Sequence, residues 1–271
     1  VFAFITFTGA LKSEFKDILR VFHDPKPLLC MLVMIHVVIP AVACGTGHLF
    51  FGSDPYAITG MVLEFSVPTA VVGLMWVTIY NGNNPLSLSL VVIDTILSPF
   101  LIPVTLRVLV GSQVEIDATM MMRQLIFMVA LPAIAAMALN QVTHGTVKNT
   151  WPKKLALFSK FALMFVVTSN SSKVAPYVRH MNLERVAIGA AILVLATGGY
   201  ALGWGMARVL HQDKETTISM IYGTGMRNIS AGAVIAGACF PGAVMYPVMI
   251  GTLFQQVLAA FYGKALVSKL G

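Results

Sequence analysis

Apolar residues in this chain run unbroken for about twenty positions at a time, rather than recurring at the three- and four-residue spacing of a half-exposed helix. The runs fall at 28–50, 56–80, 85–109, 119–141, 155–173, 184–209, 216–239 and 244–268. Each is long enough to cross a hydrocarbon core as a helix. Strands of a membrane barrel would instead alternate polar and apolar side chains over about ten residues. The pattern therefore predicts an all-α, polytopic membrane protein with eight spans. Residues 1–11 are apolar but too short to span, and run directly into Lys12, Glu14, Lys16 and Asp17. They read as the end of a helix whose first part is absent.

Two of the eight runs are interrupted. Pro68 sits in the middle of 56–80, where its ring removes a helical hydrogen bond and pushes Val67 out of helical geometry. Thr69 is then placed to cap the second half. The stretch 223–230, with Gly223, Gly225, Arg227, Asn228 and Ser230, interrupts 216–239 in the same way. Each interrupted run is the middle one of three, 28–109 and 184–268, and the two triplets enter the membrane from opposite sides. That is the hydropathy signature of inverted repeats, and paired discontinuous helices in such repeats point to a transporter site near the bilayer midplane.

Composition agrees and removes other classes. Of 271 residues 57% are hydrophobic and 11% charged, against about 25% charged in soluble domains. The net charge of +7 is a topology signal rather than a nucleic-acid footprint. With alternating spans, eleven Lys and Arg fall on one side and five on the other. The richer side is expected to be cytoplasmic, and the C-terminus with it. The expected location is the inner (plasma) membrane. Cys30, Cys44 and Cys239 lie in apolar stretches without metal or redox spacing, and the six histidines form no ligand set. His36, before Ile39-Pro40 inside an apolar span, reads as a core histidine bonded to backbone, with a proton carrier as the alternative.

The residues Gly225-Met226-Arg227-Asn228, followed by Ser230, Ala231 and Gly232, and the crossing segment 68–103 with Gly82-Asn83, Leu86-Ser87, 95–99 and Pro103, resemble the bile acid:sodium symporter family. The connector 15–27 is similar too. The resemblance implies a ten-helix fold of which the first helix and most of the second are missing. Within it, residues 1–27 are a panel remnant and connector, 28–110 and 184–271 two core repeats with crossed discontinuous helices, and 111–183 further panel helices. It also implies departures. The family's sodium-binding carboxylate corresponds to Gly223, its neighbouring glutamine to Arg227, and its Ser-Asn pair to Gly73 and Leu74, leaving Ser87 as a possible ion ligand. Gln255-Gln256 matches a polar pair in the family's last helix.

Glu64, Asp94 and Arg227 are ionisable groups inside spans and need partners or a water-filled cavity. The crossing would bring them near one site, as a charge pair or triad, a cation for a substrate carboxylate, or a coupling group for protons. The expected function is secondary transport of small organic anions by alternating access, without sodium dependence. The expected substrate contacts are Thr69, Asn228, Ser230, Gln255 and Gln256. The alternatives are a sodium-coupled symporter with a displaced ion site, or a facilitator or channel resembling the auxin efflux carriers in architecture. No hydrolase or other enzyme motif is present, no cofactor is expected beyond sodium or a proton as coupling ion, and no metal cluster or nucleic acid partner is expected.

Overall fold

A computed structural model of the chain describes residues 1–11, 13–14 and 25–270. Much of the charged connector expected at 12–27, namely Lys12 and 15–24, lies outside them. Among the described residues eleven helices follow one another: α1 (Phe2–Ala10), α2 (Lys26–Phe51), α3 (Pro55–Ser66), α4 (Gly73–Ile79), α5 (Asn84–Val110), α6 (Ala118–Val142), α7 (Thr146–Arg179), α8 (Leu183–Val209), α9 (Lys214–Gly225), α10 (Ile229–Cys239) and α11 (Gly242–Leu270). Six of them, α2, α5, α6, α7, α8 and α11, contain segments long and apolar enough to cross a membrane by themselves. The other two predicted spans are the interrupted ones, α3–α4 and α9–α10. One span is longer than its apolar run: the expected helix 155–173 begins at Thr146, directly after Gly145 in the left-handed region (φ +82°), and continues to Arg179.

Both interrupted spans begin on an aspartate cap. Asp54 accepts hydrogen bonds from the amides of Tyr56 and Ala57, and Asp213 from that of Thr216. Each carboxylate satisfies amides that the first helical turn leaves unpaired. The two triplets then pack alike. α2 lies along α3 as α8 lies along α9; α3 contacts α11 as α9 contacts α5; and α4 touches α9 as α10 touches α3. Some of these contacts need glycine. A Cβ on Gly60 would strike the Val244 carbonyl and the Pro247 ring of α11, and one on Gly203 would strike Thr224 and the Met220 carbonyl of α9. Small residues at membrane helix contacts let backbones approach where the hydrophobic effect gives little drive.

The main buried apolar cluster runs through the crossing, with Met61, Leu63 and Val67 from the first interrupted span and Ala233, Ile235 and Val248 from the second repeat. α1 packs on α6 and α7 and adds Phe2 to the same cluster. Asn140 of α6 donates from its side chain to the carbonyls of Leu11 and Ser13, fastening the end of α1.

Candidate functional site

The two interruptions meet. α3 ends at Ser66, and Val67 takes the extended conformation that a following proline favours (φ −67°, ψ 154°). α9 ends at Gly225, after which Met226 is extended (φ −98°, ψ 130°). The open segments pair as a short antiparallel bridge centred on Thr69 and Arg227. The Ala70 amide donates to the Met226 carbonyl at 3.2 Å, and the Asn228 amide to the Pro68 carbonyl at 2.8 Å. Unwinding frees backbone groups that hydrocarbon cannot satisfy, and the bridge lets each break satisfy the other.

Several sequence assignments change here. Gly223 and Gly225 belong to the last turn of α9, and the break begins after them. Their lack of a side chain serves packing: a Cβ on Gly223 would lie 2.6 Å from Leu90 and 2.8 Å from Met31, and one on Gly225 would enter the Tyr200 ring. Thr69 caps neither half-helix, since α4 starts four residues further on, at Gly73, with Val72 at its cap position. Its hydroxyl lies 3.0 Å from the Gly223 carbonyl and 3.3 Å from that of Met226, within donating distance of both, and its side chain is buried.

Glu64, Asp94 and Arg227 do gather at the crossing, 3%, 0% and 2% exposed, yet no direct ion pair joins them among the described residues. Arg227 interacts electrostatically with both carboxylates. Among the described residues its side chain makes one bond, from Nη2 to the Thr224 carbonyl at 2.9 Å, while Nε and Nη1 are buried without partners. Glu64 Oε2 is likewise unpaired, and its other oxygen rests against Gly251. Asp94 is fully engaged elsewhere. One oxygen accepts the Thr69 amide at 2.6 Å, and the other lies 2.7 Å from Nε2 of His36. The backbone partner expected for His36 is thus a carboxylate, 58 positions away in sequence.

Beside the bridge lies a cavity of 390 Å³. Residues of α1, α6 and α7 form one wall. Val71, Val91, Thr95 and the start of α10 with Arg227, Asn228 and Ser230 form the other, and α11 contributes Thr252, Gln255 and Gln256. Four of the five expected contact residues line it, and Thr69 does not. Asn228 caps α10 by accepting from the Ala231 amide, Gln255 accepts from the Arg227 amide at 2.8 Å, and Gln256 from the Trp76 indole at 2.9 Å. Arg227 is the one charged side chain among the described lining residues; the remainder are apolar groups with a few hydroxyls and amides. Ser87 borders a separate void of only 10 Å³ next to Gly223 and Tyr222, with no carboxylate among its described lining residues, and its hydroxyl has no partner.

Comparison with known proteins places this geometry in context. The Sodium Bile acid symporter family profile matches residues 1–181. A Bacillus subtilis (strain 168) protein named "Uncharacterized protein YbaS" is 41% identical over 266 residues, covering 98% of this chain and 87% of the relative. A second protein of that organism, "Uncharacterized sodium-dependent transporter YocS", is 23% identical over 95% of this chain and 79% of its own length. A "Probable sodium/metabolite cotransporter BASS6, chloroplastic" of Arabidopsis thaliana is 23% identical over 94% of this chain and 64% of its own.

Proposed function

The chain belongs to the sodium bile acid symporter family, and from that premise we propose that this multi-pass membrane transporter carries small organic anions through the cavity beside the crossed breaks, without sodium. The observation that carries the reading is the lining: one buried arginine, hydroxyls and amides, and otherwise apolar groups. Such a surface suits a carboxylate on an apolar body. The N-terminus of α10 adds the positive end of a helix dipole to the charge of Arg227. Glu64 and Asp94 do not line the cavity, so neither meets the anion directly.

Transport would proceed by rocking the helices α1, α6 and α7 against the two crossed triplets, opening the cavity to one side at a time. The breaks stay bridged while the wall opposite them moves. The preference against sodium is supported at Gly223, where Leu90 and Met31 occupy the space a longer side chain would need. Ser87 alone, beside a void of 10 Å³, falls short of the several oxygens a cation requires. The guanidinium of Arg227 supplies permanently a positive charge that a bound cation would supply transiently.

A second reading, sodium-coupled symport through a displaced site, draws on two buried oxygens without partners, Glu64 Oε2 and Ser87 Oγ, and on the names of the relatives. Uptake into proteoliposomes of labelled taurocholate and of a short 2-keto acid, in sodium and in choline buffer at fixed pH, separates the two. Comparable uptake in both buffers is the expected result. A strict sodium requirement overturns the sodium-free reading in favour of the second, and no exchange of either probe overturns both.

A further inference from the structure

α2 is not a uniform helix. Met34–Val38 forms a π-helical turn, closed by the Ile39 amide bonding back to Met34. Two residues further on, Pro40 lacks the N–H that would otherwise donate to the His36 carbonyl. Such wide turns are uncommon and occur often where a side chain must be re-aimed. Here the turn carries His36 and packs against α3 and α5. Nε2 lies 2.7 Å from Asp94, and Nδ1 is buried with no partner.

That orphaned nitrogen is informative. A histidine serving only to orient a carboxylate would have its second nitrogen bonded, because an open polar atom in hydrocarbon is costly. An open Nδ1 is what a proton acceptor needs. On α2 and the helices packed on it, the titratable and charged side chains besides His36 are Asp94 and Arg107 on α5, Tyr56 and Glu64 on α3, Glu184, Arg185, Tyr200 and Arg208 on α8, Lys214, Glu215 and Tyr222 on α9, and Lys26, Cys30, Cys44 and His48 on α2 itself. Among the described residues Asp94 alone bonds the ring, and it bears the formal charge that offsets an imidazolium. Arg227 acts electrostatically on the same carboxylate.

We propose that the His36–Asp94 pair is a proton-binding site and that its proton is the coupling ion of transport. The inference rests on the anion-transport reading above. Water on the exposed side delivers a proton to Nδ1 of His36 as a hydronium ion and is left as water. The neutral ring becomes imidazolium, and the pair goes from one negative charge to none. Loss of that proton to water on the opposite side restores it. The pair reaches the cavity through two routes. The second Asp94 oxygen holds the Thr69 amide, so the pair fixes the first break at the residue bridged to Arg227. Imidazolium and guanidinium also share one carboxylate, so loading the proton leaves more of the Arg227 charge for an anion in the cavity. Proton and anion then bind with positive coupling, which is reciprocal.

The test uses the full chain in proteoliposomes with the membrane potential clamped by potassium and valinomycin, and taurocholate and a short 2-keto acid as probes. Gradient-free exchange of the probes checks the transport reading alone. An inward proton gradient of one pH unit should concentrate a transported probe about tenfold in the parent, the limit for one proton per monoanion. In His36→Gln the ratio of gradient-driven accumulation to gradient-free exchange should collapse. A parent that exchanges a probe but ignores the gradient overturns the proposal, as does a His36→Gln protein that accumulates the probe like the parent. A readout independent of substrate covers the case in which no probe moves or the variant fails to fold. In the parent with ¹⁵N-labelled histidine, the His36 imidazole resonances should shift with pH, and over a different range in Asp94→Asn. Resonances constant at every pH where the parent stays folded overturn the proposal.

Discussion

Arg227 concentrates the chemistry of the site in one side chain. It is buried, only one of its guanidinium nitrogens has a partner, and it borders the cavity. Replacing it by glutamine removes an interaction with a charged group worth roughly 1.5–3 kcal/mol, so Arg227→Gln should weaken anion binding about ten- to a hundredfold. It also leaves the buried Glu64 and Asp94 carboxylates without the cation that acts on both, so the melting temperature should fall. Equilibrium binding and thermal unfolding of the same preparation check both. Gly223→Ala acts through packing instead. Its Cβ would crowd Leu90 and Met31, an overpacking that costs about 1–3 kcal/mol and should appear as a lower melting temperature. Sequence reasoning found Arg227 because a charge in a span is conspicuous, and missed the His36 partnership because a histidine does not announce a carboxylate 58 positions distant. The open Nδ1 was invisible for the same reason: it depends on what the fold leaves out around the ring.

Among the elements, the interrupted spans were the legible part. Pro68 marks the first break through its own ring, and Val67 takes the conformation that proline imposes on its neighbour. The second break was placed a few residues early, because glycines tolerate helix as well as loop and those at 223 and 225 serve close contact. What the sequence could not carry was the mutual satisfaction of the breaks, since antiparallel pairing between residues 69 and 227 has no local signature. This pairing makes Pro68→Ala a sharper test than its chemistry suggests. Without the ring, α3 is free to add a turn through Val67 and draw the Pro68 carbonyl away from Asn228. Uptake should fall about tenfold or more, as it would for one lost bond to a buried amide plus misplacement of the cavity wall. Uptake rates set against circular dichroism would show it, a normal rate with unchanged helicity counting against the bridge as a functional part.

For the whole molecule, the cavity lies between α1, α6 and α7 on one side and the two crossed triplets on the other, with α6 also packed on α5 and α7 on α10 and α11. Thr252 of α11 is exposed and lines that cavity, so a bulky side chain there fills space without disturbing packed neighbours. Thr252→Trp should abolish uptake while leaving the unfolding temperature within a few degrees of the parent, a change of about 1 kcal/mol or less. Transport at the parental rate would place the substrate route elsewhere.

The bridge between the breaks also supplies a clock. The amides of Ala70 and Asn228 each donate across it, from one repeat to the other, and can exchange with water only when those bonds open. If the crossing stays closed while the opposite wall moves, these two hydrogens should outlast many transport cycles in deuterated buffer. If instead the repeats separate once per turnover, deuterium should enter both positions together, at the frequency of transport. The lifetime of two protons thus distinguishes a fixed axle from a hinge that opens.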